Sequence, residues 1–301
     1  MTTEAGTHWG EGEARRYEVA KHGPDGKQFL DPYLYKYLET QAIRDNDVID
    51  IGSGTGPWAK YVKELGAKHV VVADLNMGML RQAQTKSELQ KDGVLIEQAD
   101  AGKLPHPDNC FGVELSINVG CNLPNLQEHF KEAYRTAKEG GTMIVTAPDS
   151  LTTAFTDGEI SADEIQNVVD SLWERQTNKT APSAKKVINS LEHVLRATFI
   201  LDVDNKPILI TESNKQLVKP GDPIIRRIPG LAVDNIYHTA QEYIEQAEDA
   251  GWNIEQQHEE SFSSADALSN YNNGKETGDK LGPEYVGNPP FLVMKLTKTN
   301  S

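Results

Sequence analysis

The chain has 301 residues, enough for one large domain carrying an insertion or for two smaller domains. Its net charge of −15 argues against a protein that tracks a nucleic-acid backbone, since phosphate binding needs clustered Lys and Arg. Two cysteines, Cys110 and Cys121, are too few for a disulfide framework and point to a reduced, cytoplasmic setting; the start of the chain is not a signal peptide, and no apolar run is long enough to span a bilayer.

Residues 1–29 are polar and predict a short helix over 11–20, then a loop punctuated by Gly23, Pro24 and Gly26. Asp31 caps a predicted helix whose first position is Pro32, with Leu34, Tyr37 and Leu38 on one face. At residues 48–58, VIDIGSGTGPW, an apolar run carrying Asp50 meets Gly52, Gly54 and Gly56, and Pro57 follows. This pattern predicts a strand feeding a glycine-rich turn into a helix N-terminus, where backbone approaches a ligand closely and proline's missing N–H is harmless. The order differs from the G-x-G-x-x-G of dinucleotide sites. Residues 68–74, KHVVVAD, read as a second buried strand ending in Asp74, a carboxylate able to accept both ribose hydroxyls of an adenosine. Residues 94–100, VLIEQAD, read as a third, ending in Asp100. Strands and helices alternate over residues 48–147, with helices near 77–92 and 126–138, which predicts a parallel sheet covered on both faces.

After Pro148 the pattern changes. Ser161 and Glu164 form a capping box that opens a helix, with Ile165, Val168, Val169, Leu172 and Trp173 as its apolar stripe. A second helix places Val187, Ile188, Leu191, Val194 and Leu195 on one face. Residues 198–203 and 207–211 read as a hairpin, and 224–228 as a further strand. Thr239 and Glu242 make another capping box, whose helix is closed by Gly251. Two strands, 252–261 and 289–298, end the chain, separated by a long polar loop.

These motifs, in this order and spacing, resemble the class I S-adenosylmethionine-dependent methyltransferases, of the small-molecule, type 11-like kind. The family text runs V-L-D-x-G-C-G-T-G, then V-x-G-x-D-x-S, then G-D-A-x-x-L-P-F-P-D-N-S-F-D, then a lysine-and-glycine turn before a fifth strand. The likeness covers about residues 30–150 and resumes at about 236–298, with Ser53 in place of the commoner Cys and Gly112 in place of the commoner Asp. It implies an α/β fold: a Rossmann-like, seven-stranded, mostly parallel sheet with helices on both faces and an antiparallel last strand at the sheet edge. An α+β insertion follows strand five. The expected plan is a lid segment at 1–29, a cofactor-binding domain at 30–150 and 236–301, and an inserted substrate cap at 151–235, because ligands of α/β sheets bind beside the strands' carboxyl ends.

The resemblance implies S-adenosylmethionine as cofactor and a methyl group passed to a small-molecule acceptor at O, N or C by in-line displacement. Gly52, Gly54 and Gly56 would bring backbone against the methionine portion, with Asp50 ordering the turn; by itself Asp50 reads equally as a loop carboxylate. Asp74 would hold the ribose. Leu75 and Met79 would pack on adenine, although Met79 also fits a core stripe. Asp100 and Ala101 match the adenine edge, and Asn118 the contact to the methionine amine. Histidine is the natural base near neutral pH. His238, just before a capping residue, matches a family histidine and is the first candidate. His22 and Tyr17, in the N-terminal segment, are the others. His69, His106, His129 and His258, in surface loops, on helices or in the edge strand, read as inert, and His193 as a solvated helix position. Trp9 and Trp58 read as pocket-lining or core.

No metal-ligand spacing is visible; Asp149 and Asn118 alone do not make a magnesium site. Cys121 lies where a catalytic cysteine would follow strand four, but NVGCNLPN carries no P-C or N-P-P-Y-type motif. Expected partners are therefore a small acceptor, with neither nucleic acid nor membrane, and the oligomeric state is open. The competing functions are methylation of a protein, or cofactor binding by a methyltransferase fold used for something else, such as a cyclisation.

Overall fold

Strand β1 (Asp47–Ile51) is buried along nearly its whole length, and so is β2 (His69–Asp74), as expected of central strands covered on both faces. The two pair in parallel, β3 (Val94–Gln98) adds to β2, and β4 (Phe111–Ile117) adds to the other side of β1. The computed structural model describes residues 14, 17, 38, 40–148, 151, 155–156, 160–177, 183–191, 194–211, 213–228, 231–260 and 291–299. Of the expected N-terminal segment, only Ala14 and Tyr17 are among them, both helical. His22, Trp9, His193 and most of the predicted helix after Asp31 lie outside the described residues, as does the polar loop over 261–290.

The first sheet has seven strands in the order β11-β12-β5-β4-β1-β2-β3. Strand β5 (Ala137–Pro148) is parallel to β4. Their register jumps between Phe111 and Val113, because the expected lysine-and-glycine turn is looped out as a bulge within β5, with Gly140 at φ 72°. Strands β11 (Trp252–Glu260) and β12 (Phe291–Lys298) complete the sheet. The last strand is antiparallel, as expected, but it is not at the edge. It lies between β5 and β11, antiparallel to both. Leu292, Val293, Met294 and Leu296 are all buried, so both its faces are covered, and β11 takes the edge.

Helices α1 (Thr40–Ile43), α2 (Pro57–Glu64), α3 (Met77–Gln84) and α4 (Leu126–Thr136) belong to the same part of the chain. Helix α2 starts at Pro57 behind Gly56 in the left-handed region. Helix α3 is shorter than its periodicity predicts. Thr85 Oγ1 and Gln90 Nε2 take the carbonyls of Gln82 and Gln84 at 2.7 and 2.8 Å, and a 3-10 turn follows.

The described residues divide into two compact units: those up to 148 with 239–260 and 291–299, and those from 151 to 238. The second unit is α+β. Its sheet runs β10-β9-β7-β6, with β8 paired to β7; these are β6 (Phe155–Thr156), β7 (Val194–Leu201), β8 (Pro207–Leu209), β9 (Pro223–Ile228) and β10 (Leu231–Ile236). The capping box forms as expected: Glu164 N–H donates to Ser161 Oγ, and the Ser161 N–H donates to the Glu164 carboxylate at 2.8 Å. It opens α5 (Ala162–Thr177), which buries Ile165, Val169 and Trp173 while Val168 is 48% exposed, off the stripe. Helix α6 (Ala184–Asn189) is shorter than predicted. Ser190 Oγ caps Lys186 O and the Arg227 guanidinium takes Ile188 O and Leu191 O, so Val194 and Leu195 pass into β7. Strand β10 was not expected; it pairs antiparallel with β9. Thr239 then caps α7 (Ala240–Asp249) through the Glu242 N–H at 3.1 Å.

Candidate functional site

Parallel pairing brings the carboxyl ends of β1, β2, β3 and β4 to one edge of the first sheet, and the glycine turn lies there. Ser53 N–H donates to Ala73 O at 2.9 Å and Gly54 N–H to Asp74 Oδ2 at 2.8 Å, so the turn leans on the end of β2. Gly52 lies against Val119 beyond β4: a Cβ there would come within 2.7 Å of Val119 Cγ2. Gly54 is the opposite case. Its φ is +58°, and a Cβ would meet nothing within 4 Å, so bare backbone faces open space.

Asp74 is half-buried and has two duties. Its second oxygen accepts from Asn76 N–H at 2.8 Å, and Asn76 in turn caps α3. Burial raises its pKa, against the two backbone N–H bonds that lower it. Each carboxylate oxygen has two acceptor positions, so a ribose can still be held. The turn-ordering expected of Asp50 therefore falls to Asp74. Asp50 is 1% exposed, and its Oδ2 has no hydrogen-bond partner. Burial, and then the charge of Asp74, pushes its pKa up to about 8. The Ser53 hydroxyl nearby is also buried without a partner. Unpaired buried polar atoms are rare in a native fold, and here two of them lie in or just before the turn that carries open backbone.

Beyond β3 the chain turns at Asp100, which is exposed. One of its carboxylate oxygens accepts from Gly102 N–H at 2.9 Å. Ala101 is buried and Leu75 is largely exposed. Met79 is buried on α3, its N–H donating to Asn76 Oδ1 at 3.1 Å. Asn118 adopts a φ of +58° and turns the chain out of β4. Its N–H donates to Thr146 Oγ1 at 3.0 Å. Its carbonyl accepts from Asn122 Nδ2 at 3.2 Å and Cys121 Sγ at 3.4 Å.

His238 is buried and directly precedes the capping Thr239. Tyr17 is half-buried and Trp58 buried. His69 pairs with Asp47 at 2.7 Å and His106 with Glu97 at 2.6 Å. His129 is not a surface residue. It is 1% exposed on the inner face of α4, and burial brings its pKa down to about 4. The signal was its spacing, since Leu126, His129, Phe130 and Ala133 share the apolar stripe. Among the described residues no group of three or more His, Cys, Asp or Glu side chains could hold a metal, and no helix is long and apolar enough to cross a membrane.

Residues 49–145 match the family model described as Methyltransferase domain. Curated relatives include the ubiquinone/menaquinone biosynthesis C-methyltransferase UbiE of Neisseria meningitidis, 36% identical over 116 residues, which are 36% of this chain and 45% of the relative. The same enzyme of Chromobacterium violaceum is 37% identical over 116 residues, covering 46% of its length. The chain thus spans about half the length of the curated relatives it matches. In fold it is similar to an S-adenosylmethionine-dependent methyltransferase from Mesorhizobium loti, at TM-score 0.54 and 18% identity over 89% of this chain and 97% of the other. A second neighbour, from Listeria monocytogenes, gives TM-score 0.52 at 17% identity, over 88% of this chain and 98% of the other.

Proposed function

We propose that this chain, whose residues 49–145 match a methyltransferase-domain family model, is an S-adenosylmethionine-dependent enzyme that methylates a small molecule at O, N or C. The observation that carries the reading is the glycine turn: open backbone at Gly54, anchored to the Asp74 carboxylate, above the buried and unpartnered Asp50. These residues fit the cofactor. A cationic, adenosine-bearing ligand needs acids and bare backbone together, and this edge of the sheet offers both.

When bound, the cofactor supplies a methyl group already activated on sulfonium. Asp74 would accept from the ribose hydroxyls with its remaining lone pairs. The second oxygen of Asp100 would accept from the adenine amine, and Ala101 N–H would donate to the ring edge. Leu75 and Met79 would flank the base. Asp50 would face the positive end, with the open side of Gly54 giving it room, Gly52 and Gly56 letting the turn pack on Val119 and Leu89, and Asn118 closing the far side. His238 would take the proton of an acceptor hydroxyl or amine, with His22 and Tyr17 as further contacts from the lid segment. Residues 151–235 would cap the site and choose the acceptor, within the cytoplasm. The quinone-pathway relatives agree with a small acceptor, but their shared stretch is under half their length, so the acceptor class stays broad.

The test is S-adenosylhomocysteine formation when the protein is incubated with S-adenosylmethionine and a metabolite extract, followed by the mass shift of the consumed metabolite. A gain of one methyl supports the proposal. Calorimetry that shows no S-adenosylmethionine binding would overturn it.

A further inference from the structure

Three groups from three parts of the first unit meet in its interior. His129, on α4, has Nε2 2.9 Å from Ser116 Oγ on β4 and Nδ1 3.2 Å from the carbonyl oxygen of Ala101, in the turn after β3. Ser116 and His129 are each 1% exposed. A serine beside an imidazole is the arrangement of an activated nucleophile. Here both are sealed from substrate, and the ring's second partner is a carbonyl, so the array does something else.

The protons follow from the partners. A carbonyl oxygen can only accept, so Nδ1 carries the hydrogen. A neutral imidazole then accepts at Nε2, and the Ser116 hydroxyl donates to it. Burial keeps the ring neutral. The chain of donation runs Ser116 to His129 to Ala101. The Ala101–Gly102 peptide is thereby held at both ends: its oxygen by His129, and its N–H by Asp100 Oδ1 at 2.9 Å. The same turn is tied to α4 once more, through Leu104 N–H to the Glu132 carboxylate at 2.6 Å.

We infer that His129 is a positioning residue for recognition of the adenine base: through the Ala101 carbonyl it fixes the peptide that orients the Asp100 carboxylate and the Ala101 N–H. This rests on the proposed reading of the turn after β3 as the adenine edge. His129 touches no ligand itself. Its loss should blur the distinction between a 6-amino and a 6-oxo purine, where a general loss of packing would weaken both alike.

The experiment compares affinities for S-adenosylhomocysteine and its inosine counterpart, in which an oxo group replaces the adenine amine. Wild-type protein should prefer the adenine form. His129→Leu should reduce that preference roughly tenfold, the worth of about one strong hydrogen bond. His129→Asn, which returns a donor near the Nδ1 position, should recover most of it. Nitrogen NMR of wild-type protein should show a neutral ring protonated at Nδ1. If the wild type binds neither ligand, the reading of the site falls and this inference falls with it. If it binds and a folded His129→Leu keeps the full preference, this inference alone is overturned. Should His129→Leu not fold, two other results decide against it: a ring protonated at Nε2, or a folded His129→Asn without the preference.

Discussion

Two sets of buried polar groups, one in each unit, are used in opposite ways. In the 151–238 unit, a buried arginine is consumed by the fold: Arg227 donates to Ile188 O at 2.8 Å and to Leu191 O at 2.7 Å, closing the end of a six-residue helix too short to stand alone. In the other unit, the carboxyl edge of the sheet keeps a buried carboxylate oxygen and a hydroxyl without partners, next to a glycine whose open side nothing fills. The first arrangement stabilises; the second leaves polar capacity that the proposed cofactor would use. Stability and ligand binding should therefore separate by unit when residues are changed.

The largest expected effect is at the point where the chain passes from one unit to the other. His238→Asn should lower turnover by about 10²–10⁴, the usual contribution of a positioned general base, and leave S-adenosylmethionine affinity nearly unchanged. Steady-state kinetics beside calorimetry would read this. A mutant that keeps most of its activity would return His238 to a structural role before the α7 cap. Next in size is Arg227→Met. Two buried carbonyls lose a charged donor, and about 1.5–3 kcal/mol for each such bond sets the scale of lost stability. Hydrogen exchange should rise at residues 184–191 first, with cofactor affinity intact. Equal loss of cofactor binding would mean that the two units are not energetically separable.

How much of this was readable beforehand differs by feature. The glycine turn, Asp74 at the end of β2, the Ser161–Glu164 capping box and the Thr239 cap are local signals, and each formed where its spacing placed it, while β3 stops at Gln98 and leaves Asp100 in the turn. Helix ends were less readable because distant side chains set them: Arg227 closes α6 from a strand 36 residues beyond Leu191. The interior position of β12 had a sign in FLVMKL, a run with no polar alternation, which reads as a strand buried on both faces rather than an edge. Strand β10 went unread because LAVDNI follows Pro229 and Gly230 closely and resembles a lead-in to α7. His129 was misread through its residue type, although its position on the apolar stripe of α4 pointed inward.

Smaller than these is the effect at Asp74. Asp74→Ala removes the acceptor proposed for the ribose and the anchor of Gly54 N–H, which is 2.8 Å away. Loss of charge-assisted hydrogen bonds worth about 1.5–3 kcal/mol predicts roughly a tenfold to hundredfold weaker S-adenosylmethionine affinity by calorimetry. Melting of the ligand-free protein should fall as well, because Gly54 N–H and Asn76 N–H lose the carboxylate they share. Wild-type affinity in this variant would break the proposed division of labour between the units.

Per pH unit the smallest expected effect is a slope, and it comes from Asp50. Burial and the Asp74 charge raise its folded pKa from 3.8 to about 8. Between those values the folded protein holds a proton that the unfolded chain has released. Its contribution to stability is therefore complete below pH 3.8 and is lost as pH rises through about 8. One such proton tilts the unfolding free energy by at most about 1.4 kcal/mol per pH unit. Asp50→Asn, which keeps the shape and cannot ionise, should flatten that tilt in denaturant titrations and make the ligand-free protein more stable at pH 7 than its parent. Binding should run the other way. A cationic ligand favours the carboxylate, so wild-type affinity should climb with pH until about 8, and a proton should be released on binding below it. The Asn variant should bind more weakly, with no such climb. If parent and variant share one pH slope in both measurements, the unpaired oxygen of Asp50 is a feature of the fold alone, and the contrast between the two units rests on Ser53 and Gly54 without it.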